Sequence, residues 1–489
     1  MRLSPRSLLL AGALAMFTVP AGAETLRDAL AAAYESNPTL AAARSGQRVA
    51  DESVPIARAD GLPNLGSSVG FNEVLKQGSN NIFAPDRTLS VQAQLTVPLY
   101  QGGVVRNSIR AAETRVEAGQ AVLRGTEAAV FSQVVGAYMD VLRDEAVVAL
   151  NRNNVEVLTV NLQATRDRFD IGDLTRTDVA QSESRLALAQ GNLQAAEARL
   201  IASRESYVRL VGNAPGALQS PPPLPGLPDS ADLAVEAALA DNPDLEAATI
   251  EARARGFDVR AAQGTRMPRV SLTTGGSYND FLGTIGSGIP GVSAQQTQTS
   301  ASTGVTVTVP LFQGGRPAAR VRQAQARESQ ALEQLIEAER GIIAQTRAAY
   351  ASLRAAQQVA QSSEIAVAAG RLSLEGVRAE NSVGTRTILD ILNAEQELLN
   401  AQVQLVSARR DAYVAGFTLL AAMGRAEAED LGIAAGEMLY DPAANYERVR
   451  GRMWDWDQDP DPAAVATRTI GIAAQDASIP TGSTPQLAQ

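Results

Sequence analysis

The chain contains itself twice. VPLYQGG at residues 97–103 returns as VPLFQGG at 309–315, 212 residues later, and that interval holds without a gap through Tyr138 and Tyr350, Gly172 and Gly384, Asp178 and Asp390, and Glu183 and Glu395. Upstream of the phrase the interval is 205 residues, pairing Asn37-Pro38 with Asn242-Pro243 and Pro63 with Pro268, so the seven residues separating the two intervals lie between Pro268 and Val309. A period this long is one duplicated half rather than an array of short units. The halves, residues 24–215 and 231–436, are joined by a proline-rich linker at 216–230. Whatever architecture one half takes, the other takes too.

Each copy of the phrase closes a strand and opens a helix. Pro98 and Pro310 cannot donate to a sheet ladder and belong at strand ends, and the pairs Gly102-Gly103 and Gly314-Gly315 break the backbone after them. Beyond the first pair, Ile109, Val116, Leu123, Val130 and Ala137 fall seven apart; after a skip of four, Val141, Val148, Val155, Leu162 and Phe169 do the same. The second half repeats the ladder as Val321, Glu328, Leu335, Ile342 and Ala349, then Leu353, Ala360, Val367, Leu374 and Asn381. Heptads with a four-residue stutter describe side-by-side helices that supercoil and then locally unwind. Helices over about 103–169 and 315–381 would each span roughly 100 Å. Turns at Gly172 and Gly384 send the chain back through return helices of about 174–212 and 386–423, each roughly 60 Å long. The helix between each Asn-Pro and the next proline adds about 35 Å, so two shorter helices in line equal the long one. The expected body is a tall helical wall.

Between Pro63 and Gly103 the period changes to two. Leu89, Val91, Ala93, Leu95, Val97 and Leu99 alternate with Ser90, Gln92, Gln94 and Thr96, and the second half answers with Ala301, Thr303, Val305, Val307, Val309 and Leu311 against Ser302, Thr306 and Thr308. Strands are predicted at about 64–75, 88–99, 269–279 and 300–311, with Gly-, Ser- and Asn-rich loops at about 76–87 and 280–299, the second holding the seven extra residues. Ten residues cross a bilayer when tilted. Four strands cannot close, and a sheet with open edges cannot sit in lipid, so a membrane reading requires several chains to pool their strands.

The remaining features set the compartment and exclude chemistry. Arg2 and Arg6, an apolar run from about Leu8 to Val19, and Ala21-Gly22-Ala23 have the form of a secretory signal segment, expected at residues 1–23. There is no cysteine and no histidine, so the usual zinc sets, His-paired nucleophiles and histidine bases are absent; no metal site and no cofactor is expected. Nothing places two carboxylates in one pocket, so no enzyme is expected. A formal net charge of -10 argues against a nucleic-acid partner. The tail at 437–489, rich in Asp, Pro, Ala and Thr, is expected to be largely disordered from about Asp455.

A heptad ladder alone also fits a plain coiled coil, which leaves a periplasmic adaptor or structural protein without a pore as the alternative. Aromatics are only 4% of the chain, and helices this light on bulk can line a hollow cylinder. Three chains with four helix positions each, at roughly 10 Å spacing, give a ring about 38 Å across between helix axes.

The signal segment, the duplicated half, the VPL(Y/F)QGG junctions and GTRTILDILNAEQELLNAQ at 384–402 resemble the TolC-type outer-membrane efflux and secretion proteins over about residues 24–436. The resemblance implies a mainly α fold with membrane β: long coiled-coil helices forming a periplasmic α-barrel, and four strands per chain contributing to a shared 12-strand outer-membrane barrel in a homotrimer. It implies a passive export duct set in outer-membrane lipid, gated at its periplasmic tip, working with a periplasmic adaptor and an inner-membrane transporter. The wording of 384–396 is more similar to members serving type I protein secretion, whose transporter is an ABC exporter, than to lipidated efflux members. Carried over by motif, Arg386 would lock the tip by pairing with Thr177 and Asp178, and Asp390 would form a constriction ring of three carboxylates. Asn381 stands where a tyrosine reaches the first-half aspartate, and Asn393 where a second axial aspartate is found, so the expected lock is weaker and the ring less charged. Read without the resemblance, Arg386 is an ordinary turn cation and Asp390 a solvated helix carboxylate.

Overall fold

The computed structural model describes residues 24–76, 84–286, 291, 293–433 and 439–479. The expected signal segment, parts of both hairpin loops, including part of the stretch assigned the seven extra residues, and the last ten residues of the tail fall outside the described residues. The first half runs α1 (Leu26–Ser36), α2 (Pro38–Ala59), β1 (Asn64–Glu73), β2 (Arg87–Tyr100), α3 (Val104–Asp170) and α4 (Arg176–Val211). The second half repeats the order as α5 (Ala231–Asp241), α6 (Pro243–Gly264), β3 (Arg269–Asp280), β4 (Thr297–Thr308), α7 (Arg316–Ser382) and α8 (Ile388–Ala422), and α9 (Pro442–Val449) follows in the tail.

The two long helices are 67 residues each, roughly 100 Å. Both open on glycines in the left-handed region, Gly103 at φ 82° and Gly315 at φ 79°, conformations in which a β-carbon would be strained. The repeated Asn-Pro also has a local cause. Asn37 and Asn242 cap α2 and α6 through their side-chain oxygens, with proline at the first helical position, where its missing N–H costs nothing. The amide nitrogen of each asparagine then donates to the end of a return helix, Asn37 to the Leu210 carbonyl and Asn242 to the Ala422 carbonyl, both at 2.9 Å. One residue thus starts a short helix and ties it to the end of the return helix, so α4 and α2 lie along the same flank of α3.

The main core lies at mid-height, where Phe131, Val134, Tyr138 and Met139 of α3 meet Leu26 and Leu30 of α1, Leu200 and Tyr207 of α4, and Phe417 of α8. Each large apolar side chain removed from water here contributes about 1.5–3 kcal/mol. Tyr138 donates its hydroxyl to the carbonyls of Glu24 and Gln219, at 2.9 and 2.6 Å, and its counterpart Tyr350 donates to the Asp229 carbonyl at 2.7 Å. The start of each half is pinned to the middle of its own long helix.

The four strands form one antiparallel meander in the order β1-β2-β3-β4. β4 ends at Thr308, three residues short of the expectation, because its partner β3 begins at Arg269, directly opposite, and nothing remains to pair with Val309-Pro310-Leu311. β2, flanked on both sides, keeps pairing through Pro98 to Tyr100 by a register shift. No helix among the described residues is long and apolar enough to cross a membrane.

The tail is described up to residue 479 and carries one helix, α9, ahead of the stretch expected to be disordered. α9 packs on α2, with Tyr446 against Val54, Ala112 and Val116, and Asn445 donates to Asp51 at 2.7 Å. Asp459 receives Arg448 and Arg452, at 2.7 and 2.9 Å, and Ala477 and Ile479 rest on the main core. A few anchoring side chains outweigh a composition that, averaged over the segment, could not form a core of its own.

Candidate functional site

Three surfaces of the chain are unfinished. The first is the sheet. Direct cross-strand partners share a face, and the register sets Leu65, Val69 and Phe71 opposite Leu95, Val91 and Leu89, then Val97 opposite Leu272 and Leu272 opposite Val305. The other face carries Ser68, Gln92, Ser277 and Ser300 in one row and Gly66, Gln94, Gly275 and Ser302 in the next, polar and uncharged. Among the described residues no helix makes an extensive contact with the sheet, and both β1 and β4 are exposed along their whole length. One face suits hydrocarbon, the other water, and the outer edges of β1 and β4 are unpaired.

The second is the flank of α7. α3 is covered on both sides, by α2 and by α6, whereas α7 meets α6 but has no counterpart of the second neighbour. Exposed apolar residues include Leu332 and Ile336 on α7, and Val49 (75% exposed) and Ile56 (69%) on α2. Ala254 of α6, the counterpart of Val49, is fully buried. α2 and α7 thus each leave a flank that no other element of the chain covers.

The strand–helix junctions show the same asymmetry. Gly102 (φ 65°) is approached so closely by α6 that a β-carbon there would overlap the Gly264 carbonyl and come within 2.7 Å of the Met267 β-carbon. At Gly314 (φ 59°) nothing in the chain lies within 4 Å of that position.

The third is the turn end of the helices. Gly172 and Gly384 adopt φ 83° and 82° and end α3 and α7. Asp178 and Asp390, expected at the lock and the ring, are the third residues of α4 and α8 and close capping boxes. Asp178 accepts from the Thr175 N–H and hydroxyl at 2.9 and 2.7 Å, and Asp390 from those of Thr387 at 2.9 and 2.8 Å. These bonds hold both carboxyls below the usual carboxylate range, led by the Thr175 hydroxyl for Asp178 and by the Thr387 backbone N–H for Asp390. Arg386 binds Glu380 at 2.8 Å and lies 3.9 Å from Asp390, which raises its pKa further; the chain does not bring it to Thr177 or Asp178. Thr177 is exposed beside Asp178. Asn381 closes its own turn by donating to the Arg386 carbonyl at 2.7 Å, and Asn393 accepts from Arg185 of α4 at 2.8 Å.

Other residues that hold the tip together were not among the sequence candidates. Glu395, buried, receives Arg378 at 2.9 Å and both oxygens take the Asn161 amide at 3.1 and 3.0 Å, joining the second-half pair of helices to α3. Its counterpart Glu183 binds only Arg166 and is half exposed. The Thr-x-x-Asp spacing of both capping boxes stands in the sequence, but the α3-to-α8 contact has no signature there.

An amphipathic, edge-open meander carried on a 100 Å wall of paired helices defines the class of outer-membrane channel subunits. A model described as outer membrane efflux protein matches residues 29–213 and 234–425, and the chain belongs to that family. It is 34% identical over 431 residues to outer membrane efflux protein BepC of Brucella suis, covering 88% of this chain and 91% of that one. It is 26% identical over 442 residues to outer membrane protein TolC of Escherichia coli, covering 87% of each. Among solved structures, the CmeC outer membrane channel of Campylobacter jejuni superposes with a TM-score of 0.71 at 16% identity, over 87% of this chain and 89% of that one. The protein is accordingly a TolC-type outer-membrane factor, placed in the outer membrane with a helical periplasmic extension, and its relatives are channels rather than enzymes.

Proposed function

We propose that three copies of the chain pool their strands into a twelve-strand barrel over a twelve-helix tunnel, and that this trimer is the exit duct of a tripartite export system in outer-membrane lipid. The observation carrying the proposal is the incompleteness of the single chain: a sheet with one apolar and one polar face and two unpaired edges, above an α7 flank bare where α3 is covered. Only an identical neighbour offers both the missing edge and the matching α2 flank. The inner tip is the gate. Arg386 turns from Glu380 to Thr177 and Asp178 of the adjacent chain when the tip closes, Asp390 lines the constriction, and Asn381 and Asn393 leave the lock lighter by one partner and one charge. A periplasmic adaptor and an inner-membrane transporter open it by binding the open state more tightly.

For cargo, the reading is protein secretion with an ABC exporter, supported by the 384–396 segment and by similarity to alkaline protease secretion protein AprF of Pseudomonas aeruginosa, 26% identical over 85% of this chain. Small-molecule efflux is the second reading, favoured by the greater identity to BepC. Disrupting the gene and comparing the exported proteome with drug susceptibility separates the two: loss of secreted proteins with unchanged susceptibility supports the first, the reverse pattern the second. A purified chain that is monomeric in lipid, or soluble without detergent, sinks the duct itself.

A further inference from the structure

The duplication leaves one groove without its cover. In the second half, the linker crosses the α8 groove so closely that a β-carbon at Gly416 would meet the Leu224 Cδ1 at 2.9 Å and the Leu227 Cδ1 at 3.7 Å. That linker precedes Asp229, whose counterpart is Glu24. Among the described residues, no segment before Glu24 lies over the α3/α4 groove.

The tail fills that place, and the groove's chemistry differs accordingly. Where α8 carries Gly416, α4 carries Arg204, buried, which donates to Glu145 of α3 at 2.6 Å and to the Asp476 carbonyl at 2.7 Å. Arg152 of α3 holds Glu197 of α4 at 2.8 Å and donates to the Ala477 carbonyl at 3.0 Å; Glu205 of α4 accepts the Gln475 N–H at 3.0 Å. Ala477 and Ile479 seat on the core below. These main-chain contacts come from both helices and hold an extended segment, and the Asp476 carboxylate adds a side-chain contact 3.5 Å from Arg204. The burial of the Arg204–Glu145 pair is consistent with this, since a buried ion pair stabilises only when its remaining hydrogen-bonding capacity is used, and the tail's carbonyl uses part of it.

We propose that the α3/α4 groove is a binding site for an extended peptide, that its occupant is the chain's own residues 473–479, and that the tail is a strap clamping the two helices of the first half as the linker clamps those of the second. The site works chiefly on backbone carbonyls and one N–H, with Arg204 and Arg152 as donors and Glu205 as acceptor, and Arg204 also faces the Asp476 carboxylate.

Hydrogen exchange on the purified full chain tests the strap. The amides of residues 473–478 should be protected, and in an Arg204→Met/Glu145→Gln variant, which removes the donor without stranding a buried charge, they should exchange on the order of tenfold faster, the value of one charge-assisted bond. Helices α1 and α4 should keep their protection. Should the double variant fail to fold, Glu205→Ala acts from the exposed rim and should speed exchange at Gln475 alone. Capture tests the site: a full-length chain with 473–479 replaced by Gly-Ser repeats should bind a labelled peptide of residues 469–489, and adding Arg204→Met should abolish binding. Free-chain exchange rates in the wild type, unchanged protection in the variants, or no capture of the peptide overturns the proposal. None of these readouts depends on what the duct carries.

Discussion

Gly314 offers a test of assembly that the isolated chain cannot mimic. Within one chain, Gly102→Ala and Gly314→Ala carry the same conformational strain, since both sit near φ 60°, where an L-residue costs about 1–2 kcal/mol. They differ in surroundings. A β-carbon at Gly102 drives into the Gly264 carbonyl and the Met267 β-carbon, adding the ~1–3 kcal/mol typical of overpacking, whereas at Gly314 it meets open space. By the 205-residue interval, the counterparts of Gly264 and Met267 are Ala59 and Leu62, at the end of α2. In a ring, the neighbour's α2 end should stand over Gly314 as α6 stands over Gly102. Both substitutions should then cost about 2–5 kcal/mol per junction, with three junctions of each kind per trimer. Heat dissociation of the detergent-resistant trimer, read by gel migration across a temperature series, measures the effect. If Gly314→Ala shifts dissociation far less than Gly102→Ala, no neighbour approaches that glycine, and the packing of α7 on the adjacent α2 is wrong.

Three further outcomes follow from the tip and the equator. Arg386→Ala or Asp178→Ala should raise single-channel conductance in planar bilayers, and an unchanged conductance for both removes them from the gate; Thr387→Ala, which loses only the cap, should leave it near wild type. Asp390→Asn keeps the cap acceptor and loses the charge, so cation selectivity, read from reversal potentials in a salt gradient, should flatten. Glu427 is partly buried beside Arg124, and that burial pushes its carboxyl up to about 7. A carboxyl raised in the folded state holds its proton longer than in the unfolded chain, so stability falls as pH climbs from about 4 to 7 and stays low above. Glu427→Gln should therefore stabilise the protein at pH 8, on the order of 1–3 kcal/mol less what Arg124 loses, and change little at pH 4; equal effects at both would show that the carboxyl is not protonated by its surroundings.

Much of this architecture is legible in the sequence because it rests on periodicity. Val116, Leu123, Val130 and Ala137 are all buried, as the seven-residue spacing requires, and the period-two runs pair into a sheet whose apolar residues share a face. The site is less legible. Asp178 and Asp390 were found through the motif, but their first partners are the threonines three residues before them, a local relation that the resemblance passes over. Glu395 is marked only by its place in the repeat; its contact is not legible, because the Asn161 that completes it lies 234 residues away and no spacing rule spans two elements. The contacts of the tail are illegible for a third reason. Composition averages over a segment, whereas Asp459 is anchored by arginines 7 and 11 residues before it, and Asp476 and Ile479 by side chains distant in sequence.

The places where the halves have diverged follow what each half must touch. Arg152 on α3 pairs with Glu197 on α4 at 2.8 Å, and at the counterpart positions Glu364 on α7 pairs with Arg409 on α8 at 3.1 Å, the same bridge with its charges exchanged. An ion pair between two helices is indifferent to which end carries the cation, so drift at such a pair is free as long as both partners change. Reversal does matter to a third party. Arg152 keeps a donor for the Ala477 carbonyl, and a glutamate in its place could not give one. The orientation of the first-half bridge is therefore set by the tail, whereas the linker approaches the second-half groove at Gly416 with the apolar side chains of Leu224 and Leu227. A duplicated protein thus keeps its backbone symmetry where packing demands it and loses it where the covering segment differs.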